Sequence, residues 1–147
     1  MRLKVVVPVA TGVLLFLANW TLLGIIFYLD SRSIELTYGR GSWWVKESFL
    51  VKAVYVGLIA PFLEELIFRR LLLDYFMEKK HAKIGLLVSS ACFGLWHLLF
   101  GWGPLKAADM TLVGLVFGIM YTKFKFRGSL LAHYANNLAS VFFMGLL

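Results

Sequence analysis

Ala60-Pro61-Phe62-Leu63-Glu64-Glu65-Leu66-Ile67-Phe68-Arg69-Arg70 sets two adjacent carboxylates and an arginine pair inside a run long and apolar enough to cross a membrane. An ionised carboxylate at bilayer depth is strongly unfavourable unless it is paired, protonated or facing water, so the two glutamates read as functional by default. At 3.6 residues per turn, Glu65 and Arg69 share a helix face and can pair, whereas Glu64 points elsewhere. Two later stretches offer it distant partners, Phe93-Gly94-Leu95-Trp96-His97 and His133-Tyr134-Ala135-Asn136-Asn137. The chain reads as a scaffold that brings these three stretches together.

Of the 147 residues, 61% are hydrophobic and 16% charged, against roughly 45–50% and about 25% in a soluble globular protein. That composition is of an integral membrane protein, an all-α helix bundle of about five transmembrane helices with an intramembrane polar site. The single cysteine, Cys92, lies in an apolar run, so no intrachain disulfide or cysteine zinc cage forms, and it reads as a packing residue. The net charge of +7 comes from basic residues flanking apolar spans. Lipid headgroups account for them, and nucleic acid is not an expected partner.

A first span over Val5 to Leu29 exceeds the roughly 20 residues a helix needs, and it reads as retained rather than as a cleaved signal. Asp30 to Glu47 is polar and turn-rich, ending near Trp43-Trp44, an expected interfacial anchor. The second span runs from Ser48 to Leu73, with Pro61 expected to kink it beside the carboxylates. Asp74 to Lys83 reads as a charged connector. The third span, Ile84 to Phe100, stops at Gly101-Trp102-Gly103-Pro104. The fourth, Ala107 to Phe124, carries Gly114 and Gly118 at a spacing suited to tight helix packing, with Asp109 expected at the interface. A basic turn around Lys123 to Gly128 leads to the last span, Ser129 to Leu147. Arg2, Lys4, Lys79, Lys80, Lys83, Lys123, Lys125 and Arg127 flank one side against Arg32, Arg40, Lys46 and Lys106 on the other, which predicts a cytoplasmic N-terminus. The expected domain is 1–147 as one transmembrane unit with a core at 60–137.

With a rise of about 1.5 Å per residue and tilted spans, Glu64, His97, His133 and Asn137 fall between the cytoplasmic face and the midplane and can share one cavity. His133 and Asn137 share a face, as do Phe93 and His97. A carboxylate base, two imidazoles and an amide are the parts of a hydrolytic site. Glu64 can take a proton from water, while His97 and Asn137 can donate to an oxyanion. Neither Cys92 nor Ser89 nor Ser90 has a carboxylate-oriented histidine at a defensible spacing.

Glu64-Glu65-x-x-x-Arg69, Phe93-x-x-x-His97 and His133-x-x-x-Asn137, in that order on separate spans, resemble the three motifs of the type II CAAX prenyl endopeptidase family, also called CPBP (CAAX proteases and bacteriocin-processing enzymes). The resemblance implies an intramembrane endopeptidase in a bacterial or archaeal cell membrane, acting on a membrane-associated peptide or protein. By motif, Glu64 would activate water, Glu65 and Arg69 would support it, His97 and Asn137 would form the oxyanion site, and His133 would orient the water. Two forms stay open, a metal-free glutamate protease and a zinc enzyme with Glu64, His97 and His133 as ligands. The chain is shorter than larger members, which leaves bacteriocin-like peptides and sorting tails open as substrates beside prenylated proteins.

Blander readings stand beside these. Glu65 and Arg69 alone make a structural ion pair, His97 alone a satisfied core histidine, and Asn137 alone helix-to-helix glue. From other classes, the same fold suits a non-catalytic immunity or scaffold protein, or a small cation-coupled carrier. The joint order, spacing and depth of the motifs favour the protease.

Overall fold

In a computed structural model of the chain, residues 2–38 and 47–145 are described. The first helix, α1, spans Leu3–Leu29, with Pro8 in its interior near the N-terminal end. A short helix α2, Arg32–Tyr38, follows, where the sequence suggested only turns. Its Ser33 and Thr37 are one turn apart and buried, and the Thr37 carbonyl accepts the Gly103 N–H at 3.0 Å. Trp43-Trp44 lies outside the described residues.

Residues 49–78 form one continuous helical run, α3, capped at Ser48, whose hydroxyl accepts the Val51 N–H at 3.4 Å. It runs past Leu73 through Glu78, so the charged connector shrinks to Lys79–His81. Its end is a Schellman cap. The His81 N–H bonds the Phe76 carbonyl at 2.8 Å and the Lys80 N–H bonds Met77 at 3.0 Å. Lys80 takes the left-handed conformation that such a cap requires, with φ 62°.

Around Pro61, α3 widens into π-helical segments at Lys52–Ile59 and Leu66–Leu73, with an α-helical stretch Ala60–Glu65 between them. The proline is the physical reason for part of this. The Ala60 N–H reaches back five residues to Tyr55, and the next bond in that register would join residue 61 to Val56. Proline has no N–H to give, which frees the Val56 carbonyl. π-Segments of this kind are frequent at functional sites.

The fourth helix, α4, is Ala82–Trp96, tightening into a 3₁₀ turn at His97–Phe100. Gly101, at φ 82°, and Pro104 then redirect the chain into Pro104–Gly145. That last element breaks at Lys125, with φ 60° and ψ −165°, into α5 (104–124) and α6 (126–145). Among the described residues, three elements are long and apolar enough to cross a membrane: Leu3–Leu29, Ala82–Phe100 and Pro104–Phe143. A straight 40-residue helix would be about 60 Å long, twice the hydrocarbon thickness, and the break at Lys125 lets the last of them pass twice. The protein is an integral membrane helix bundle.

Glycine sets the closest approaches. A β-carbon on Gly12 of α1 would collide with the backbone carbonyl of Ala132 in α6, and one on Gly94 of α4 would meet Ala107 and Thr111 in α5. Gly114 and Gly118 seat α5 against Phe93, Ser90 and Leu86 of α4, as the small-residue spacing predicted. Phe68, Phe93, Met110, Val113, Phe117, Met120 and Ala132 fill the centre, with Cys92 packed against them. Asp109 is tied to Lys106 at 2.8 Å and to Asn19 of α1 at 3.1 Å, and its side chain is only 11% exposed, so it clamps α5 to α1.

Candidate active site

All three sequence motifs converge where α3, α4 and α6 meet. Glu65 and Arg69 are fully buried, and Arg69 Nε lies 3.6 Å from Glu65 Oε2 across one helical turn. The guanidinium is held on two further sides. It donates to the Ser89 hydroxyl at 2.9 Å and to the Gly114 carbonyl at 3.1 Å, and it lies 5.1 Å from the centre of the Phe93 ring. Ser89 passes its own proton to the Phe68 carbonyl at 2.8 Å. One buried arginine thus links α3, α4 and α5, the rigid fork for which arginine is suited.

The other oxygen of Glu65, Oε1, lies 3.0 Å from His133 Nδ1. The carboxylate accepts there, so in the neutral ring Nδ1 carries the proton and Nε2 is left with its lone pair. His133 Nε2 in turn lies 3.5 Å from Glu64 Oε2. Glu64, unpartnered on its own helix, thus finds its neighbour on α6. The His133 ring is stacked on Phe117 at 4.3 Å between centroids and meets the Phe93 ring edge-on at 5.6 Å. Aromatic walls and the carboxylate fix the imidazole in place.

His97 sits in the first residue of the 3₁₀ turn, with Nδ1 2.9 Å from the Phe93 carbonyl. A carbonyl only accepts, so Nδ1 holds the proton in the neutral ring and Nε2 is an acceptor. The oxyanion-donor role expected from sequence therefore needs the charged form of this histidine. Asn137 donates its side-chain amide to the Val56 carbonyl at 2.9 Å, the carbonyl that Pro61 leaves free, and its Oδ1 accepts from Asn136 at 3.1 Å. One Asn137 N–H remains for another acceptor.

Glu64, His97, His133, Asn136 and Asn137 line one cavity of about 440 Å³. Its remaining walls are mostly apolar and aromatic, including Trp96, Phe100, Met110 and Val113, and α1 adds Phe16, Asn19, Trp20 and Leu23. A small set of polar groups in an apolar concavity is the usual form of a ligand site. Zinc fits the arrangement poorly. Among the described residues no three of His, Cys, Asp and Glu close on a point that could hold a metal ion, and the Phe93 ring lies against both imidazoles, 5.0 Å from His97 and 5.6 Å from His133.

Sequence reasoning left out the serines and carbonyls that hold the motif residues. Ser129 is the most important of these. Fully buried, it lies within hydrogen-bonding reach of Glu65 Oε2 and 3.0 Å from the Phe117 carbonyl. The available signal was its position one turn before His133, just as Ser89 stands one turn before Phe93. The third histidine, His81, is exposed on the turn before α4.

No curated protein and no solved structure matches the chain. Residues 46–139, well over half the sequence and including all three motifs, match the family described as Type II CAAX prenyl endopeptidase Rce1-like, and the chain belongs to that membrane protease family.

Proposed function

We propose that the protein is an intramembrane endopeptidase in which Glu64 activates water beside His133. The observation that carries this reading is the 3.5 Å approach of Glu64 Oε2 to His133 Nε2 on the cavity wall, with Glu65 and Arg69 fixing the imidazole from behind. A water molecule between carboxylate and imidazole would be oriented by the His133 lone pair and deprotonated by Glu64. Its oxygen adds to the scissile carbonyl carbon. The oxyanion is met by the free Asn137 N–H and, in its protonated form, by His97. Collapse breaks the C–N bond as Glu64 returns the proton to the departing nitrogen, giving a carboxylic acid and an amine.

The substrate is a membrane-associated peptide or protein, since the cavity lies among lipid-facing helices. The turns at Lys79 to Lys83 and Lys123 to Arg127 lie at one end of the bundle, where the Tyr121 hydroxyl bonds Asp74 at 2.6 Å. Positive flanks put that end, and with it the N-terminus, in the cytoplasm. The proposed reaction uses no metal.

The test is cleavage of membrane-tethered reporter peptides by purified protein, with Glu64→Gln and His97→Ala beside wild type, each with and without a chelator. Glu64→Gln is expected to lower the rate by about 10²–10⁴-fold, the range for a general base. Cleavage that survives Glu64→Gln sinks the mechanism. Chelator sensitivity restored by zinc replaces it with the metal form, and wild-type binding without turnover favours the immunity or scaffold role.

A further inference from the structure

We infer that Ser129, which lies in none of the three motifs, is a positioning residue that sets the tautomer of His133 through Glu65. The geometry is a single chain of contacts. The Phe117 carbonyl, Ser129 Oγ, Glu65 Oε2, Glu65 Oε1, His133 Nδ1, His133 Nε2 and Glu64 Oε2 follow one another within hydrogen-bonding or ion-pair distance. Ser129, Glu65 and His133 are all buried, so water does not replace a missing link.

A serine hydroxyl has one proton and two lone pairs, and both of its neighbours here are oxygens. Facing an ionised Glu65, it donates to Oε2. That bond and the Arg69 Nε contact hold one oxygen of the carboxylate, which fixes its plane and points Oε1 at His133 Nδ1. With Oε1 so placed, the imidazole proton sits on Nδ1, and the Nε2 lone pair faces the side where Glu64 lies. Without the hydroxyl, Arg69 is the one remaining holder of Oε2 among the described residues, and the carboxylate can turn toward it. The Nδ1 bond then opens and the ring can take the opposite tautomer, with its proton on Nε2. In that form His133 donates to Glu64 and has no lone pair for the attacking water.

Phe117 acts twice in the device. Its carbonyl lies 3.0 Å from Ser129 Oγ and competes with Glu65 for the one hydroxyl proton, and its ring stacks on His133. Ser129 and His133 stand one turn apart on α6, which keeps the relation between serine and imidazole fixed.

The experiment reads the imidazole directly. The protein has three histidines, His81, His97 and His133, so ¹⁵N-histidine labelling in detergent micelles gives three ring systems, assigned with His81→Gln and His97→Gln. Wild-type His133 is expected to show a protonated Nδ1 and an unprotonated Nε2. Ser129→Ala should raise the opposite tautomer by about fivefold, the effect of losing one buried hydrogen bond, while leaving the His97 signals unchanged. Ser129→Cys, which keeps a weak donor at similar size, should fall between the two. A His133 spectrum unaltered by Ser129→Ala, or a wild-type ring already protonated on Nε2, overturns the assignment. If Ser129→Ala misfolds, Ser129→Cys alone is compared with wild type, and an unaltered His133 ring overturns the assignment. The activity arm rests on the protease reading: Ser129→Ala should lower kcat on a cleaved reporter peptide and leave KM within about twofold. The tautomer arm does not need turnover, so failure of this inference is distinguishable from failure of the protease reading.

Discussion

Asn137 donates its side-chain amide to the Val56 carbonyl at 2.9 Å, across 81 positions of sequence. The carbonyl is free because the π-helical register of α3 reaches Pro61, which has no N–H to return. A motif residue thus completes a backbone that another residue interrupts, and the pair ties α6 to α3 beside Glu64. Asn137→Ala should lower stability by about 1 kcal/mol, since it leaves that partly buried carbonyl without its donor. In a Pro61→Ala background residue 61 can supply the bond, and the loss should be smaller. Thermal unfolding of the four proteins of this cycle in detergent checks it, and an equal loss in both backgrounds refutes the link.

Arg69 should not tolerate its usual replacement. It bonds Ser89 and Gly114, and it meets Glu65 from a fully buried position. Lysine has one nitrogen for three sites and strips the fork from α4 and α5. Arg69→Lys is expected to destabilise by about 2–4 kcal/mol, and Arg69→Met, which strands a buried carboxylate, by about 3–5 kcal/mol. The same unfolding assay reads both.

Two glycines of α1 should respond with opposite signs. A β-carbon on Gly12 strikes the Ala132 backbone, while one on Gly24 meets nothing within 4 Å. Gly12→Ala is expected to destabilise by about 1–3 kcal/mol, because the opposing atom is backbone and cannot rotate away. Gly24→Ala should be neutral or stabilising by up to about 1 kcal/mol through helix propensity.

Lys125 is held at φ 60° and ψ −165°, a region that suits glycine rather than a residue with a side chain. Lys125→Gly should therefore stabilise the protein by about 1 kcal/mol despite the added freedom of its unfolded chain. A loss of stability would mean that the lysine side chain contributes more at the bundle end than its backbone costs.

Hydropathy and charge carried the helical membrane fold, because an apolar run of span length has few other stable states. Interruptions were harder to place. Asp74 to Glu78 is charged yet stays helical, since Asp74 pairs with Arg70 and Tyr121 while α3 runs on to its cap. Arg32–Tyr38 looks like loop by composition and is a helix, because Ser33 and Thr37 each donate a hydroxyl proton to a carbonyl, Asp30 and Ser33 respectively, and bury that side. In the site, the motifs named Glu64, Glu65, Arg69, His97, His133 and Asn137, and the fold brings them to one place. Which nitrogen of each histidine carries its proton was not legible. That depends on the Phe93 carbonyl and on Ser129 through Glu65, partners that only tertiary contact or local 3₁₀ geometry supplies.

The wall contributed by α1 divides the molecule in a way that the motifs do not. Residues 46–139 match the family and hold Glu64, His97, His133 and Asn137, yet Phe16, Asn19, Trp20 and Leu23 close the same cavity from outside that segment. The cavity therefore has two kinds of wall: one carries the motif residues, and the other, from α1, sets how wide and how apolar the space before them is. Under the proposed reaction, substitutions in α1 change which chains fit that space and leave Glu64, His97, His133 and Asn137 where they stand.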